Sequence, residues 1–184
     1  MAIDDVWGVG KLDFSAPKWT NTEFTHTGTD LSLVFPNFSA SLLTDCDPLQ
    51  AVQTISFRVP ITIPKGFCLI GFKQKITLGS NRTAGVRIIV VADLGGTVRT
   101  RELSYIESES QKDQSDALID WWVVSPLGLE VGFSQGNEEV LEYAGTIAII
   151  VQRRTKDSRV SCEIDSVDVS SVIQPVLPPS SPME

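Results

Sequence analysis

One histidine and three cysteines in 184 residues leave little for metal or nucleophilic chemistry. Zinc and iron centres need several His or Cys ligands at close spacing. Cys46, Cys68 and Cys162 are widely separated, and no pair has ligand spacing. A Ser-His-Asp arrangement would have to use His26, which lies in a polar, Thr-rich stretch and reads as a surface residue. The odd cysteine count leaves at least one thiol free, and a single disulfide suits only an oxidising compartment. Basic residues are also few. Fifteen Lys and Arg face 23 Asp and Glu, for a net charge of −8. That balance disfavours nucleic acid and anionic membrane surfaces as partners. No apolar run reaches the roughly 18 residues of a membrane-spanning helix. There is no phosphate-cradling loop, since Gly95-Gly96 leads into a strand pattern rather than a helix. The inventory predicts a protein with no catalytic residues, no cofactor and no dedicated metal. The start, Met1 to Trp7, lacks a basic segment followed by an apolar run. Localisation stays open between the cytoplasm and secretion with a leader removed.

What the chain does have is alternation. In residues 54–63, Ile55, Phe57, Val59, Ile61 and Ile63 share one parity, while Thr54, Ser56, Arg58, Pro60 and Thr62 share the other. That is the period of a strand with one dry face. Pro60 lacks a ladder donor, so the strand is expected at an edge or bulged there. After the Pro64-Lys65-Gly66 turn the pattern resumes with Cys68, Ile70, Phe72, Ile76 and Leu78 on the core parity. Gln74 shares that parity and would need a partner if buried. Lys73, Lys75 and Thr77 take the wet parity. Residues 86–92 are apolar on both parities apart from Arg87, which predicts a central strand, and Gly95-Gly96 fits a two-residue hairpin turn. Residues 54–92 are expected to form an antiparallel meander, with Ile63 opposite Cys68.

Elsewhere, residues 6–14 could hold a short strand and 20–29 a loop or edge. Residues 31–35 and 38–42 alternate around Pro36-Asn37, and 98–105 predicts a strand with Arg99 and Arg101 on a wet face. Residues 107–120 read as a long polar connection, with a short helix over 116–121 as an option. Strands are expected from Trp121 and over 129–133, with a turn at 134–138. Residues 142–152 are apolar on both faces, and Val160, Cys162 and Ile164 alternate after a basic turn; the two strands should form a central hairpin. The expectation is all-β, an antiparallel sandwich of about 8 to 11 strands, with a β-barrel as the alternative. Residues 1–173 form one domain, and 174–184, with four prolines, a disordered tail.

Leu31-Ser-Leu-Val-Phe-Pro-Asn-Phe-Ser39, Ile55-Ser-Phe-Arg-Val-Pro-Ile-Thr-Ile-Pro-Lys-Gly-Phe67 and Cys162-Glu-Ile-Asp-Ser-Val-Asp168 together resemble an uncharacterised β-sandwich family, domain of unknown function 4360. The similarity spans about half the chain. It implies a sandwich fold and brings no known catalytic residues. The family is typically secreted and carries a cysteine before the central strand, where this chain has residues 50–53 without one.

Candidate sites are few. Trp121 and Trp122 are neighbours on a strand pattern, so one should face the core and the other outward, where it could stack on a sugar ring or dock a partner. Asp45 and Asp47, and Asp165 and Asp168, are weak calcium candidates that match no twelve-residue calcium loop. Glu102, Glu107 and Glu142 are the carboxylates from which a glycoside hydrolase pair could be assembled, though all read as solvated charges. Asn37-Phe-Ser39 and Asn81-Arg-Thr83 fit the glycosylation triplet. The favoured reading is a non-catalytic sandwich that works by surface binding or self-association. The alternatives are a carbohydrate-binding module using an exposed Trp, and a β-rich membrane-active toxin.

Overall fold

Ile55, Phe57, Val59, Ile61 and Ile63 are all buried, as their shared parity demands, and Arg58 between them is exposed. The computed structural model describes residues 6–7, 13–15, 23–103, 119–126 and 139–176, with backbone alone for 13–15, 119–120, 122–126 and 139. These hold eleven strands: β1 (Asp13–Ser15), β2 (Glu23–Thr27), β3 (Asp30–Val34), β4 (Ser39–Leu42), β5 (Gln50–Ile63), β6 (Phe67–Arg82), β7 (Val86–Leu94), β8 (Thr97–Leu103), β9 (Ile119–Pro126), β10 (Glu139–Arg153) and β11 (Val160–Pro175). One antiparallel sheet runs β1-β5-β10-β7-β8. The other runs β2-β3-β11-β6-β9, with β4 paired to β11. The sheets pack face to face as a sandwich rather than closing into a barrel.

Several local readings are overturned by this topology. Residues 54–92 are not a meander: β5 and β7 lie in one sheet and β6 in the other, so Ile63 and Cys68 do not pair. The Pro64–Phe67 turn, closed by the Phe67 amide donating to the Pro64 carbonyl at 3.1 Å, carries the chain across the core. Likewise β10 and β11 are not a hairpin; each is the middle strand of its own sheet. Alternation fixes which side of a strand is dry, but not whether the next strand continues the sheet or faces it. Within β7 and β8 the hairpin stands, with Gly95 and Gly96 both at positive φ, 57° and 76°. The strand expected from Trp121 is β9, which begins two residues earlier, at Ile119, in place of the optional short helix, and Gln174 and Pro175, assigned to the tail, end β11. The expected strand over 129–133, the turn at 134–138 and most of the polar connection lie outside the described residues.

Two bulges re-aim side chains. β6 pairs Leu69 with Ile173 and Gly71 with Val172, so Ile70 is the extra residue. Leu69 therefore points inward and Ile70 outward at 36% exposure, which reverses the parity expected for Cys68 and Ile70. On β11, Ile164 pairs with Leu78 and Ser166 with Thr77, which leaves Asp165 as the bulge. Pro60 is accommodated without a bulge. Thr62, two residues on, donates outward to Val6 at 2.7 Å, so the Pro60 nitrogen also points away from β10 and costs that ladder nothing. Among the described residues, β5 on that outer side meets β1 and the Trp7–Ile61 bridge, close to the expected edge.

The sheets are joined by rings. Phe38 contacts Phe35 (6.2 Å between centroids), Phe35 contacts Phe57 (6.4 Å), Phe57 contacts Tyr143 (6.1 Å), and Tyr143 meets Phe72 (4.7 Å) and Trp7 (5.7 Å). Gly145 lies beneath the Phe57 ring; a Cβ there would come within 2.2 Å of Phe57 Cζ. Gln74 is fully buried, as its parity foretold, and its Nε2 donates across to the Leu94 carbonyl at 3.3 Å. Among the described residues Gln74 Oε1 and the Tyr143 hydroxyl find no partner at full hydrogen-bond geometry, although the Gln74 side chain lies beside the Tyr143 hydroxyl and partly offsets the effect of its burial.

One end of the sandwich is tied by Arg153, only 3% exposed. Its guanidinium donates to the carbonyls of Thr44 (2.9 Å), Asp47 (2.6 Å), Pro48 (3.2 Å), Lys156 (2.9 Å) and Ser158 (3.1 Å). The planar fork thus joins the β4–β5 and β10–β11 connections. Ser158 Oγ adds the β6–β7 turn by donating to Ala84 at 2.8 Å. Replacing Arg153 with Met should cost about 3 kcal/mol, because the methionine leaves several carbonyls unpaired. Gly145→Ala should cost about 1–3 kcal/mol by overpacking against Phe57. Urea unfolding of both variants measures these losses.

Candidate functional site

The sandwich presents two outer faces of different chemistry. On the six-stranded sheet, register aligns Thr25, Ser32, Asp168, Lys75 and Trp122 in one row across β2, β3, β11, β6 and β9. The next row is Thr27, Asp30, Ser170, Lys73 and Val124, and the row on the other side runs through Glu23, Val34, Ser166, Thr77 and Asp120. Hydroxyls, carboxylates and amines dominate these positions. Ser32 Oγ donates to Asp168 Oδ1 at 2.6 Å and Ser166 Oγ to Asp168 Oδ2 at 3.3 Å, so the carboxylate is fixed in place. A shallow concavity of about 190 Å³ lies among β2, β3 and β11, lined by His26, Asp30, Ser32, Asp168 and Ser170.

The five-stranded sheet is different. Its outer rows read Gln50, Gln152 and Arg87; then Val52, Ile150, Ile89 and Glu102; then Thr54, Ala148, Val91 and Thr100; then Ser56, Thr146, Asp93 and Val98. An apolar stripe crosses the middle of the sheet, with Val52 at 48% and Val98 at 57% exposure.

The tryptophans part company, as neighbours on a strand must. Trp121 opposes Ile76 and packs half-buried against the core. Trp122 holds the outer-face register position opposite Lys75.

The calcium candidates do not converge. Asp45 pairs with Arg159. Asp47 Oδ2 accepts the amides of Thr44 (2.8 Å) and Leu43 (2.7 Å), and these hold its carboxyl below the usual range. Asp165 is the bulge of β11, its carbonyl accepting the Phe35 amide at 2.8 Å, and Asp168 is engaged by two serines. Among the described residues no group of three or more His, Cys, Asp or Glu side chains is placed to hold a metal ion. The carboxylates considered for hydrolysis are also apart. Glu142 pairs with Arg58 at 3.5 Å and Glu102 with Arg87 at 2.8 Å. Glu102 shares a row with Ile150, eight residues along β10 from Glu142, which separates the two by about 25 Å. Glu107 lies outside the described residues. Asn37 and Asn81 are both exposed.

The serines, threonines and lysines of the six-stranded face were missed as a site, although Lys73, Lys75 and Thr77 showed the wet parity in sequence. Parity names an outward residue, but only cross-strand register shows that it lines up with Asp168 and Ser32.

No family model matches the chain, and no curated protein matches it. Among solved structures, the chain is similar to the CBM36-1 domain of a multidomain xylanase from the hindgut metagenome of Trinervitermes trinervoides, at 12% identity over 88% of this chain and 98% of that one, with a TM-score of 0.35. It is similar to dimeric latent PorU from Porphyromonas gingivalis at 9% identity over 98% of this chain, TM-score 0.35, and spans 14% of the PorU chain. A family 11 carbohydrate-binding module from Clostridium thermocellum aligns at 11% identity over 94% of this chain and 96% of that one, TM-score 0.22.

The three thiols are unpaired: Cys46 exposed, Cys68 half-buried and Cys162 buried. Burial pushes the Cys162 thiol up from 9.0 to about 12, with Glu163 adding to the shift, and burial moves the Tyr143 hydroxyl upward too. A group kept neutral in the fold but free to ionise in the unfolded chain stabilises below its unfolded pKa. For Cys162 that contribution is intact below pH 9.0 and lost as pH rises toward about 12. The urea midpoint should therefore fall across that window, and Cys162→Ala should flatten the fall. At neutral pH a thiol reagent should label Cys46 in the native state while Cys162 stays protected until unfolding.

Proposed function

We propose that the protein is a non-catalytic binding module, that its recognition surface is the outer face of the six-stranded sheet, and that its ligand is a glycan. The observation that supports this is the pair of adjacent rows Thr25–Ser32–Asp168–Lys75 and Thr27–Asp30–Ser170–Lys73. A sugar ring offers neighbouring hydroxyls, each both donor and acceptor. Carboxylates accept from them, ammonium groups donate to them, and Ser or Thr does either. Trp122 holds the register position at the end of the first row, and an indole is the kind of group that stacks on the apolar face of a pyranose. The acceptor at the centre, Asp168, is already oriented by Ser32 and Ser166, which limits the entropy lost on binding. Rows carried on hydrogen-bonded strands keep their spacing better than loops would.

A glycan array followed by titration calorimetry tests this. Asp168→Ala and Trp122→Ala should each weaken the best glycan at least tenfold, at about 1.4 kcal/mol per factor of ten. Val52→Lys, on the opposite face, should leave it unchanged. An array without hits, or affinity indifferent to both substitutions, would dismiss the reading.

A further inference from the structure

We infer that the outer face of the five-stranded sheet is the interface of a homodimer, packed against the same face of a second copy of this chain. The inference is independent of glycan binding and uses the opposite side of the molecule.

The first argument is the apolar stripe. Ile150 and Ala148 on β10, Ile89 and Val91 on β7 and Val52 on β5 occupy adjoining register positions, with Val98 at the corner. A polar outward parity would have sufficed for a sheet facing water on one side. Here the middles of β7 and β10 are apolar on the outward parity too, at Ile89, Val91, Ala148 and Ile150, with Arg87, Asp93, Thr146 and Gln152 on either side, which is the pattern of a covered patch with a polar rim.

The second argument is what surrounds the stripe. Its polar neighbours bond sideways to one another. Gln152 Nε2 donates to Gln50 Oε1 at 3.0 Å, and the Ser56 and Thr146 hydroxyls lie 2.9 Å apart. Arg87 grips Glu102 through two bonds of 2.8 Å, and Arg58 pairs with Glu142 at 3.5 Å. The neutral pairs lose little when water is removed, and the two ion pairs, which would be costly to desolvate, lie toward the ends of the face where they can stay hydrated.

Charge selects the occupant. The whole chain carries −8, so two copies repel in most orientations. On this face Arg58 with Glu142 and Arg87 with Glu102 cancel, and two carboxylate positions remain at its margins, Asp93 beside Val98 and Asp13 in the row of Arg58. Like meets like here with little Coulomb cost, and with a pair of both signs toward each end of the face, a two-fold related copy can set Arg against Glu. Area is adequate as well. Four strands about 4.8 Å apart and five residue rows from Gln50 to Arg58 give a face of roughly 600 Å². Two copies would bury about 1,200 Å², the lower bound of a standard stable interface. Sheets meeting this way pack about 10 Å apart, the geometry already used inside the sandwich.

Sedimentation of the full chain from about 1 to 200 μM tests this, the range being chosen to bracket a micromolar dissociation constant. The expected result is a species of twice the chain mass whose dissociation constant rises at least a hundredfold in Val52→Lys and in Ile150→Lys. Val52 is half exposed, so its variant should keep the native melting temperature and carries the test even if Ile150→Lys folds poorly. Asp168→Ala should dimerise like the parent. A chain monomeric at the top concentration, a dimer indifferent to both lysines, or a dimer broken by Asp168→Ala would each overturn the inference. None of these outcomes bears on glycan affinity.

Discussion

Two sheets that share no ladder among the described residues must be held together by side chains, and the line of rings from Phe38 through Phe35, Phe57 and Tyr143 to Phe72 and Trp7 does this. Phe57 and Tyr143 come from the five-stranded sheet, and Phe72 and the Phe35–Phe38 corner from the other. The rings fit because Gly145 leaves space under Phe57. Close packing of this kind is intolerant of even one added carbon, which makes the sheet separation a fixed quantity rather than an adjustable one. With the separation fixed, the outer faces are fixed too, and the spacing of every outward row follows.

Repeated crossing between sheets is the second consequence. β5, β6 and β7 alternate between layers, and β10 and β11 do the same. Each crossing needs a tight connection at the sandwich rim. One end is secured by Arg153, which gathers the carbonyls of two connections, and by Ser158, which adds a third. The buried cation is stabilised there chiefly by peptide carbonyls, with the Asp47 carboxylate as a weaker coulombic partner, and that works only while the carbonyls stay in place. The Pro64–Phe67 turn is held by the Phe67 amide donating to Pro64, by the Val176 amide donating to the Gly66 carbonyl at 2.9 Å, and by the stiffness of proline.

The division of labour between the faces follows from which residues share a sheet. The six-stranded sheet collects strands with polar outward parities, including β2, β3 and β11. The five-stranded sheet collects β7 and β10, whose middles are apolar on both sides. The proposed glycan-binding and self-associating surfaces therefore lie on opposite sides of one small core. The two bulges, at Ile70 and Asp165, adjust this arrangement by turning Leu69 inward and aligning Ser166, Asp168 and Ser170 on the outer face.

The sequence by itself determined the strands, their dry parities, the Gly95-Gly96 hairpin, the burial of Gln74 and the all-β sandwich, because each is set by neighbours one or two residues away. It also marked residues 86–92 and 142–152 as apolar on both faces, which placed β7 and β10 inside a sheet correctly. Which strands pair, and where the parity slips, were decided only by the tertiary structure. The meander over residues 54–92 and the hairpin of β10 and β11 failed for one reason. A short turn can return a strand beside its predecessor or across the core from it, and the difference in energy lies in contacts with residues a hundred positions away. The bulge at Ile70 was invisible for a related reason: it is defined by β11, not by β6. Asp168 and Lys75 could be named as polar from sequence, and one of Trp121 and Trp122 as outward, but the alignment of Asp168, Lys75 and Trp122 in one row exists only once β11 has paired with β6 and β6 with β9.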